Sequence, residues 1–207
     1  MPIDGLKVIE TLRWSMAKGF HRLPRHLNRA AETCAKLSFP FDALMAQRAM
    51  AEAAEGTADL RVRLTVDRYG KFDVTAAVMP AASDGLIWQI SLSSTRVRSD
   101  DSWLSIKTTN RKTYDDARAQ MPNGVDEVIF ANERDEMCEG SITNIFLDFG
   151  QGLVTPPISS GLLPGVLREE LIAAGEVRES VCKIADLNHA KAVWVGNSLR
   201  GLVRCKL

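Results

Sequence analysis

The sequence lacks the patterns of disulfide-bonded, zinc-binding and membrane-spanning proteins. Four cysteines stand far apart in 207 residues, and they form neither a Cys-x-x-Cys pair nor a Cys/His cluster. Neither a disulfide framework nor a metal site is predicted, and we expect four reduced, mostly buried thiols: Cys34, Cys138, Cys182 and Cys205. No stretch approaches the roughly 20 apolar residues of a membrane span, and the first residues lack the order of a signal peptide. The sequence thus predicts a soluble, cytoplasmic protein.

An excess of charge of one sign is missing as well. The chain has 26 lysines and arginines against 26 aspartates and glutamates, and no basic block is long enough to dominate a surface. A nucleic-acid-binding face, which neutralises phosphates with clustered basic side chains, is therefore not predicted. With 45% apolar residues, the chain can bury one substantial core or two small ones. We expect two lobes and a small-molecule partner.

Hydrophobic periodicity indicates a mixture of helices and strands. Residues Val8–Trp14 alternate as a strand does, which leaves Glu10 facing either a pocket or solvent. Apolar residues at helical spacing predict a helix over Arg25–Leu37. A second helix, rich in alanine and methionine, is predicted over Phe41–Glu55 and is expected to pack in the core.

A polar, aperiodic stretch divides the chain. Residues 60–66 and 71–78 flank a Tyr-Gly turn and predict a β-hairpin, and the pattern over residues 87–92 predicts another strand. Residues 94–102, in contrast, carry polar and charged side chains without a period and are interpreted as a linker. The predicted organisation is a small α/β lobe of residues 1–95 and a larger lobe of residues 96–207.

The stretch Glu133–Leu171 combines two features that bind charge. Glu139 lies between a polar turn and the alternating run Ile145–Leu147, so its carboxylate is expected at a strand end. Further on, a Pro-Gly pair leads into a helical pattern that starts at Val166, where backbone N–H groups without intrahelical partners form an anion site. On the residues alone, a turn carboxylate and an ordinary loop fit these features equally well.

Three further places carry chemistry that the residues alone leave open. His26 and Arg29 share one face of the first predicted helix, either as a solvated basic edge or with the arginine as a fork for a phosphate. Lys107 stands between an apolar residue and two threonines, and it is either a surface charge or a partly buried amine able to form a Schiff base. The turn at Asn197 and Ser198 either offers donors to an anion or only connects two strands.

Four motifs follow one another along the chain: KTTNR at Lys107, EGSITNIF at Glu139, LLPGVLR at residues 162–168 and GNSLRGL at residues 196–202. Together with DGLKVIETLR and HLNRAAETCAKL near the start, they resemble the class IV (fold-type IV) pyridoxal-phosphate (PLP) enzymes over nearly the whole chain. That family holds branched-chain and D-amino-acid aminotransferases and 4-amino-4-deoxychorismate lyases. The resemblance implies an α+β fold with two lobes, a small α/β lobe and a larger pseudo-barrel lobe.

The resemblance also implies a role for each matching residue. Lys107 is expected to form the internal aldimine with PLP and then to carry the substrate proton, and Glu139 to pair with the pyridine nitrogen. The cofactor phosphate is expected to be held by Arg29, the N–H groups of Val166 and Leu167, and Asn197. Ser198 is expected to face the substrate carboxylate, and Asn144 to fix the local backbone.

Within the family, the motifs are most similar to those of the lyases. We therefore expect a 4-amino-4-deoxychorismate lyase that releases pyruvate and 4-aminobenzoate, with a branched-chain or D-amino-acid aminotransferase and an inactive PLP-fold binding protein as alternatives. Some aminotransferases carry a tyrosine just after the lysine motif that bonds the cofactor's phenolic oxygen. Here Lys112 occupies that neighbourhood, which leaves open whether Tyr114 substitutes. A homodimer is the assembly that the resemblance implies, whereas the composition and spacing described above predict no nucleic-acid, membrane or metal partner.

Overall fold

The structure, a computed structural model, describes residues 5–80 and 85–207. The described residues form two compact units. The first unit holds residues 5–80 together with Lys107–Asn110, and the second holds residues 85–106 and 111–207. The division therefore falls between residues 80 and 85, not at the predicted boundary near residue 95, and a short later run returns to the first unit.

The first unit is a four-stranded antiparallel sheet with two helices. Its elements are the strands β1 (Val8–Ser15), β2 (Gly19–Phe20), β3 (Leu60–Val66) and β4 (Phe72–Val78) and the helices α1 (Leu23–Leu37) and α2 (Ala43–Ala53). The strand order is β2-β1-β3-β4, and every neighbouring pair is antiparallel. The first predicted strand and the predicted hairpin are thereby confirmed.

Helix α1 follows the predicted apolar spacing. Pro24 lies in its first turn, where the missing backbone N–H costs no hydrogen bond. The helix ends at Ser38, whose left-handed backbone turns its N–H back to the carbonyl of Ala35. Ala30 and Cys34 of the predicted apolar face are fully buried, but His26, Arg29 and Thr33 are buried as well. The packed face of the helix is therefore partly polar.

Helix α2 is shorter and less buried than predicted. Asp42 caps it by accepting hydrogen bonds from the N–H groups of Leu44 and Met45. Ala46 and Met50, one turn apart, are its buried residues, whereas Leu44 and Met45 are 69% and 50% exposed. The expectation that this helix packs in the core holds for one face only, because apolar residues on both faces of a helix cannot all reach one sheet.

The second unit is built mainly from strands. Its strands are β5 (Ile87–Val97), β6 (Glu127–Asn132), β7 (Met137–Gly140), β8 (Asn144–Asp148), β9 (Leu153–Thr155), β10 (Val177–Glu179), β11 (Ala192–Asn197) and β12 (Gly201–Lys206). Its α-helices are α3 (Lys112–Ala119) and α4 (Val166–Ala173), and 3-10 turns span Ser102–Ser105, Ile158–Ser160 and Ile184–His189. Strand β5 extends to Val97 and so includes the first residues of the predicted linker 94–102.

Six of these strands close into a ring. The sheet order is β10-β9-β8-β11-β12-β5-β6-β7, and β7 also pairs with β8 through Glu139 and Asn144. The strands from β8 to β7 in that order therefore form a closed six-stranded barrel, and β9 and β10 extend from it. Together with the sheet of the first unit, this confirms the predicted α+β fold with a pseudo-barrel lobe.

The second half of β5 is polar, so its sequence does not predict a strand. The strand pairs with β6 in parallel, and the register shifts after Leu92 before pairing resumes at Arg96. Most side chains from residue 91 to residue 96 are at least partly exposed. An exposed strand with an irregular register has no apolar alternation, so a sequence pattern cannot separate it from a loop.

The cysteines confirm the prediction of reduced, buried thiols. All four are free and buried. Burial raises the pKa of the Cys34 thiol to about 11 and that of Cys138 to about 12, with further contributions from neighbouring carboxylates. None of the helices that the structure describes combines the length and hydropathy needed to cross a bilayer.

Candidate active site

A buried ionic cluster lies between β1 and α1 in the first unit. The Arg29 guanidinium donates to the Glu10 carboxylate twice, from Nε to Oε1 at 2.9 Å and from Nη2 to Oε2 at 2.7 Å. His26 Nδ1 lies 2.6 Å from Oε2 of the same carboxylate. All three side chains are buried, so the solvated basic edge considered for His26 and Arg29 is excluded.

The charges in this cluster shift the pKa values of its members. Burial raises the pKa of the Glu10 carboxyl, but the charge of Arg29 and the hydrogen bonds from His26 and Arg29 outweigh it and hold the pKa at about 2. Burial lowers the pKa of His26, as do the charges of Arg29 and Lys107, against the opposing effect of Glu10. His26 is therefore neutral near pH 7, and its Nδ1–H donates to a carboxylate that is ionised.

Lys107 belongs to the same unit although it lies far along the chain. The N–H of Ile9 donates to the Lys107 carbonyl at 2.9 Å, and the N–H of Thr109 donates to the Lys7 carbonyl at 2.9 Å. Thr108 forms an antiparallel bridge with Val8. These bonds fix the Lys107 backbone against β1, next to the residue that precedes Glu10. The structure thus brings together Lys107 and Arg29, two of the predicted site residues.

In the second unit, Glu139 is held by a tyrosine. The Tyr114 hydroxyl donates to Glu139 Oε1 at 2.7 Å, and Glu139 is 6% exposed on β7. The Tyr114 ring packs edge-on against Phe130, with the ring centroids 4.9 Å apart. Burial, followed by the Glu139 charge, raises the pKa of Tyr114 far above its usual range. The hydroxyl therefore keeps its proton and is the donor in this pair.

The turn that follows Glu139 is fixed by a carboxylate that sequence reasoning missed. Glu127 is completely buried and accepts hydrogen bonds from the N–H and hydroxyl of Ser141, the N–H of Ile142 and the hydroxyl of Thr143. A Cβ at Gly140 would overlap Thr143 Oγ1 and lie 2.8 Å from the Glu127 carboxyl. Glycine is therefore needed there. The available signal was the acidic first residue of an otherwise apolar strand.

The start of α4 is held by an asparagine. Asn144 Nδ2 donates to the Leu163 carbonyl at 3.0 Å, and a Cβ at Gly165 would overlap Asn144 Oδ1. Asn144 thus fixes the local backbone, as predicted. The side chains of Val166 and Leu167 are buried, so the groups that these two residues can offer to an anion are the N–H groups of the first helical turn.

The last predicted contact residue, Asn197, orders the turn between β11 and β12. Its Oδ1 accepts from the N–H groups of Leu199 at 3.1 Å and Arg200 at 3.0 Å, and its Nδ2 donates to the Ile142 carbonyl at 3.1 Å. The side chain therefore ties this turn to the one that follows Glu139. Ser198 lies within the turn and is buried.

The family model described as amino-transferase class IV matches residues 7–207, nearly the whole chain. The chain belongs to this family. A solved structure from Mesorhizobium loti, assigned to the amino-acid aminotransferases, is 41% identical and superposes with a TM-score of 0.94, over 98% of this chain and 99% of its own.

Two curated relatives carry different activities in their names. A Saccharomyces cerevisiae aminodeoxychorismate lyase is 26% identical over 136 residues, which is 56% of this chain. A Thermotoga maritima protein assigned as a branched-chain-amino-acid aminotransferase is 31% identical over 104 residues, which is 48% of this chain. The matches span 36% and 38% of the lengths of these two relatives.

Class IV membership confirms the predicted enzyme class and cofactor. Enzymes of this family act with PLP, as transaminases or as lyases. The donors present fit the charges of that cofactor: a guanidinium and a helix start suit a phosphate, a buried carboxylate suits a pyridinium, and an amine suits an aldehyde. The assignment of single residues to these groups remains a prediction.

Proposed function

We propose that this class IV enzyme is a 4-amino-4-deoxychorismate lyase that releases pyruvate and leaves 4-aminobenzoate. The observation that carries the proposal concerns the position where some aminotransferases place a phenol for the cofactor. In this chain that position holds Lys112, whose side chain is 84% exposed and forms an ion pair with Asp116. The nearby Tyr114 directs its hydroxyl to Glu139 instead. The lyase name of the yeast relative supports the same reaction.

Each predicted residue has a defined task in this proposal. PLP supplies a ring that accepts the electrons of a substrate carbanion. Lys107 Nζ would hold the cofactor covalently, and the same amine would carry the substrate proton. Glu139 would hold the pyridine nitrogen, and its charge would favour the protonated form of that nitrogen. The phosphate is bound by Arg29, the N–H groups of Val166 and Leu167, and Asn197. Ser198 binds the substrate carboxylate.

A class IV aminotransferase acting on branched-chain or D-amino acids is the second candidate. The observation in its favour is the aminotransferase assignment of the Mesorhizobium loti protein, which matches this chain over nearly its full length. The two reactions differ in their requirements. A transaminase needs a second, 2-oxo acid substrate, whereas the lyase needs none.

Two parallel assays separate the candidates. In the first, the PLP-loaded protein receives aminodeoxychorismate alone, and 4-aminobenzoate is measured. In the second, it receives leucine or D-alanine together with 2-oxoglutarate. We expect 4-aminobenzoate in the first assay without any 2-oxo acid; turnover confined to the second assay would refute the lyase.

The cofactor attachment is tested separately. The wild-type protein is expected to turn yellow on incubation with PLP, and borohydride is expected to fix the cofactor to the Lys107 peptide, as read by mass spectrometry. Lys107→Ala is expected to lose the reducible link. A wild-type protein that stays colourless would instead favour the third alternative, a PLP-fold protein without activity.

We further propose that the enzyme acts as a homodimer, which is the assembly implied by its similarity to the family. Light scattering of the PLP-loaded protein during size-exclusion chromatography is expected to give twice the chain mass of 22.8 kDa. A monomer with full activity would contradict this assembly.

A further inference from the structure

The Tyr114 side chain, whose hydroxyl donates to Glu139, is placed by two contacts of its ring and by a hydrogen bond from the start of its helix. Tyr114 lies in the first turn of α3, and its ring is placed by the edge-on contact with Phe130. The guanidinium carbon of Arg111, at the start of the same helix, lies 5.7 Å from the ring centroid. Arg111 Nη2 also donates to the Ser141 carbonyl at 2.9 Å, in the turn that follows Glu139. The helix that carries the tyrosine is therefore tied directly to the segment that carries the carboxylate.

The chemistry of the pair gives the hydrogen bond a direction and an effect. Because burial and the Glu139 charge keep the Tyr114 hydroxyl protonated, it can only donate to the carboxylate. A donor to an ionised carboxylate stabilises its charged form. That stabilisation is greatest where water is excluded, as it is around Glu139. A carboxylate accepts at about four lone-pair positions, so one hydroxyl donor is compatible with further partners.

We propose that Tyr114 is a positioning residue for the cofactor ring, whose hydroxyl holds Glu139 ionised and oriented so that the pyridine nitrogen keeps its proton. This rests on the proposed role of Glu139. A proton between a carboxylate and a pyridine moves toward the pyridine when the carboxylate charge is stabilised. Tyr114 therefore acts through Glu139 and sets how strongly the ring draws electrons.

The test compares the two tyrosines of the chain. Tyr114→Phe removes the hydroxyl and keeps the ring that packs on Phe130, whereas Tyr69→Phe removes the hydroxyl of an exposed tyrosine in the first unit and is the matched control. Each variant is loaded with PLP labelled with nitrogen-15 in the ring, and the ring-nitrogen chemical shift and the PLP dissociation constant are measured. We expect Tyr114→Phe to move the shift toward that of unprotonated pyridine and to weaken PLP binding about tenfold, with no change in Tyr69→Phe.

A graded series keeps the proposal falsifiable if Tyr114→Phe folds poorly. In the Tyr69→Phe background Tyr114 is the one tyrosine left, so biosynthetic incorporation of 3-fluorotyrosine replaces it alone. Fluorination makes the phenol a stronger donor, and we expect the ring nitrogen to become more protonated, in the opposite direction to Tyr114→Phe. A shift that does not follow this order overturns the role of Tyr114.

Glu139→Gln separates this inference from the function on which it rests. If Glu139→Gln changes the ring-nitrogen shift and the Tyr114 series does not, only the tyrosine proposal fails. If Glu139→Gln also leaves the shift unchanged, the pairing of Glu139 with the pyridine nitrogen fails and the tyrosine proposal fails with it. A wild-type protein that binds no PLP overturns both.

Discussion

The Glu10 carboxylate and the Arg29 guanidinium form a two-point ion pair that joins β1 to α1 in the first unit. Breaking a buried pair by removing one partner leaves the other charge without compensation. We therefore expect Glu10→Gln to lower the free energy of unfolding by about 3 kcal/mol, as measured by urea denaturation.

A surface pair in the same unit is the control for this prediction. Arg13 and Asp59 also form an ion pair, but both side chains are about one-third exposed. Asp59→Asn is expected to cost less than about 1 kcal/mol. Equal losses for the two substitutions would show that burial does not decide the strength of these pairs.

The Glu10 cluster also predicts the response of the protein to acid. The Glu10 pKa is about 2 in the folded state against an ordinary value of 4.5, so between these values the unfolded chain binds the additional proton. The stability supplied by the carboxylate is complete above pH 4.5 and is lost as the pH falls toward 2. The pKa of His26 is lowered from 6.5 in the folded state. Its protonation therefore also lowers the stability of the fold as the pH falls below 6.5. We expect the free energy of unfolding, measured with urea at a series of pH values, to fall less steeply with acid in Glu10→Gln than in wild type. If the two proteins lose stability in parallel, Glu10 does not cause the acid response.

At alkaline pH the group that matters is Tyr114. Its pKa is raised in the folded state, so its contribution to stability is complete below the unfolded value of about 10 and falls as the pH rises above it. In Tyr69→Phe, tyrosinate absorbance is expected to appear only as the protein unfolds. Absorbance that grows at alkaline pH while the fold is intact, as judged by circular dichroism, would show that the Tyr114 hydroxyl is not buried against Glu139.

The contact between Gly165 and Asn144 predicts a steric effect that a second substitution relieves. A Cβ at position 165 would overlap Asn144 Oδ1, and the Gly165 backbone has φ −69°, which alanine adopts without strain. Gly165→Ala is expected to cost about 1–3 kcal/mol of unfolding free energy by overpacking and to weaken PLP binding. In an Asn144→Ala background the added cost should largely disappear, and a double-mutant cycle of urea midpoints measures the coupling. Additive costs would contradict the contact.

Local patterns in the sequence predict the parts of the fold that are local in space. The alternation of β1 and the helical spacing of α1 predict both elements, and both appear as expected. The buried ionic cluster between them follows from neither pattern. The Pro-Gly pair before Val166 likewise marks the start of α4. The burial of helix α2 was predicted less well, because the helix is apolar on two faces and only one of them is buried.

Contacts between distant segments are beyond such patterns. Residues Lys107–Asn110 belong to the first unit because their backbone forms hydrogen bonds with the β1 region, about a hundred residues earlier. No periodicity in the sequence predicts that pairing. The hydrogen bonds that Glu127 accepts are equally non-local. Glu127 lies on β6, and its partners at residues 141–143 lie in the turn between β7 and β8. Candidate site residues could be named by resemblance to a family, but the partners that hold them required the three-dimensional arrangement.

The four buried cysteines allow local opening of the protein to be measured by thiol alkylation. A thiol reagent attacks the thiolate, and burial raises the pKa of each of these thiols. Alkylation will therefore mark only molecules in which the surrounding structure has opened. Cys34 lies in the first unit, and the other three lie in the second. Peptide mass spectrometry of a single alkylated sample thus reports separately how often each unit opens.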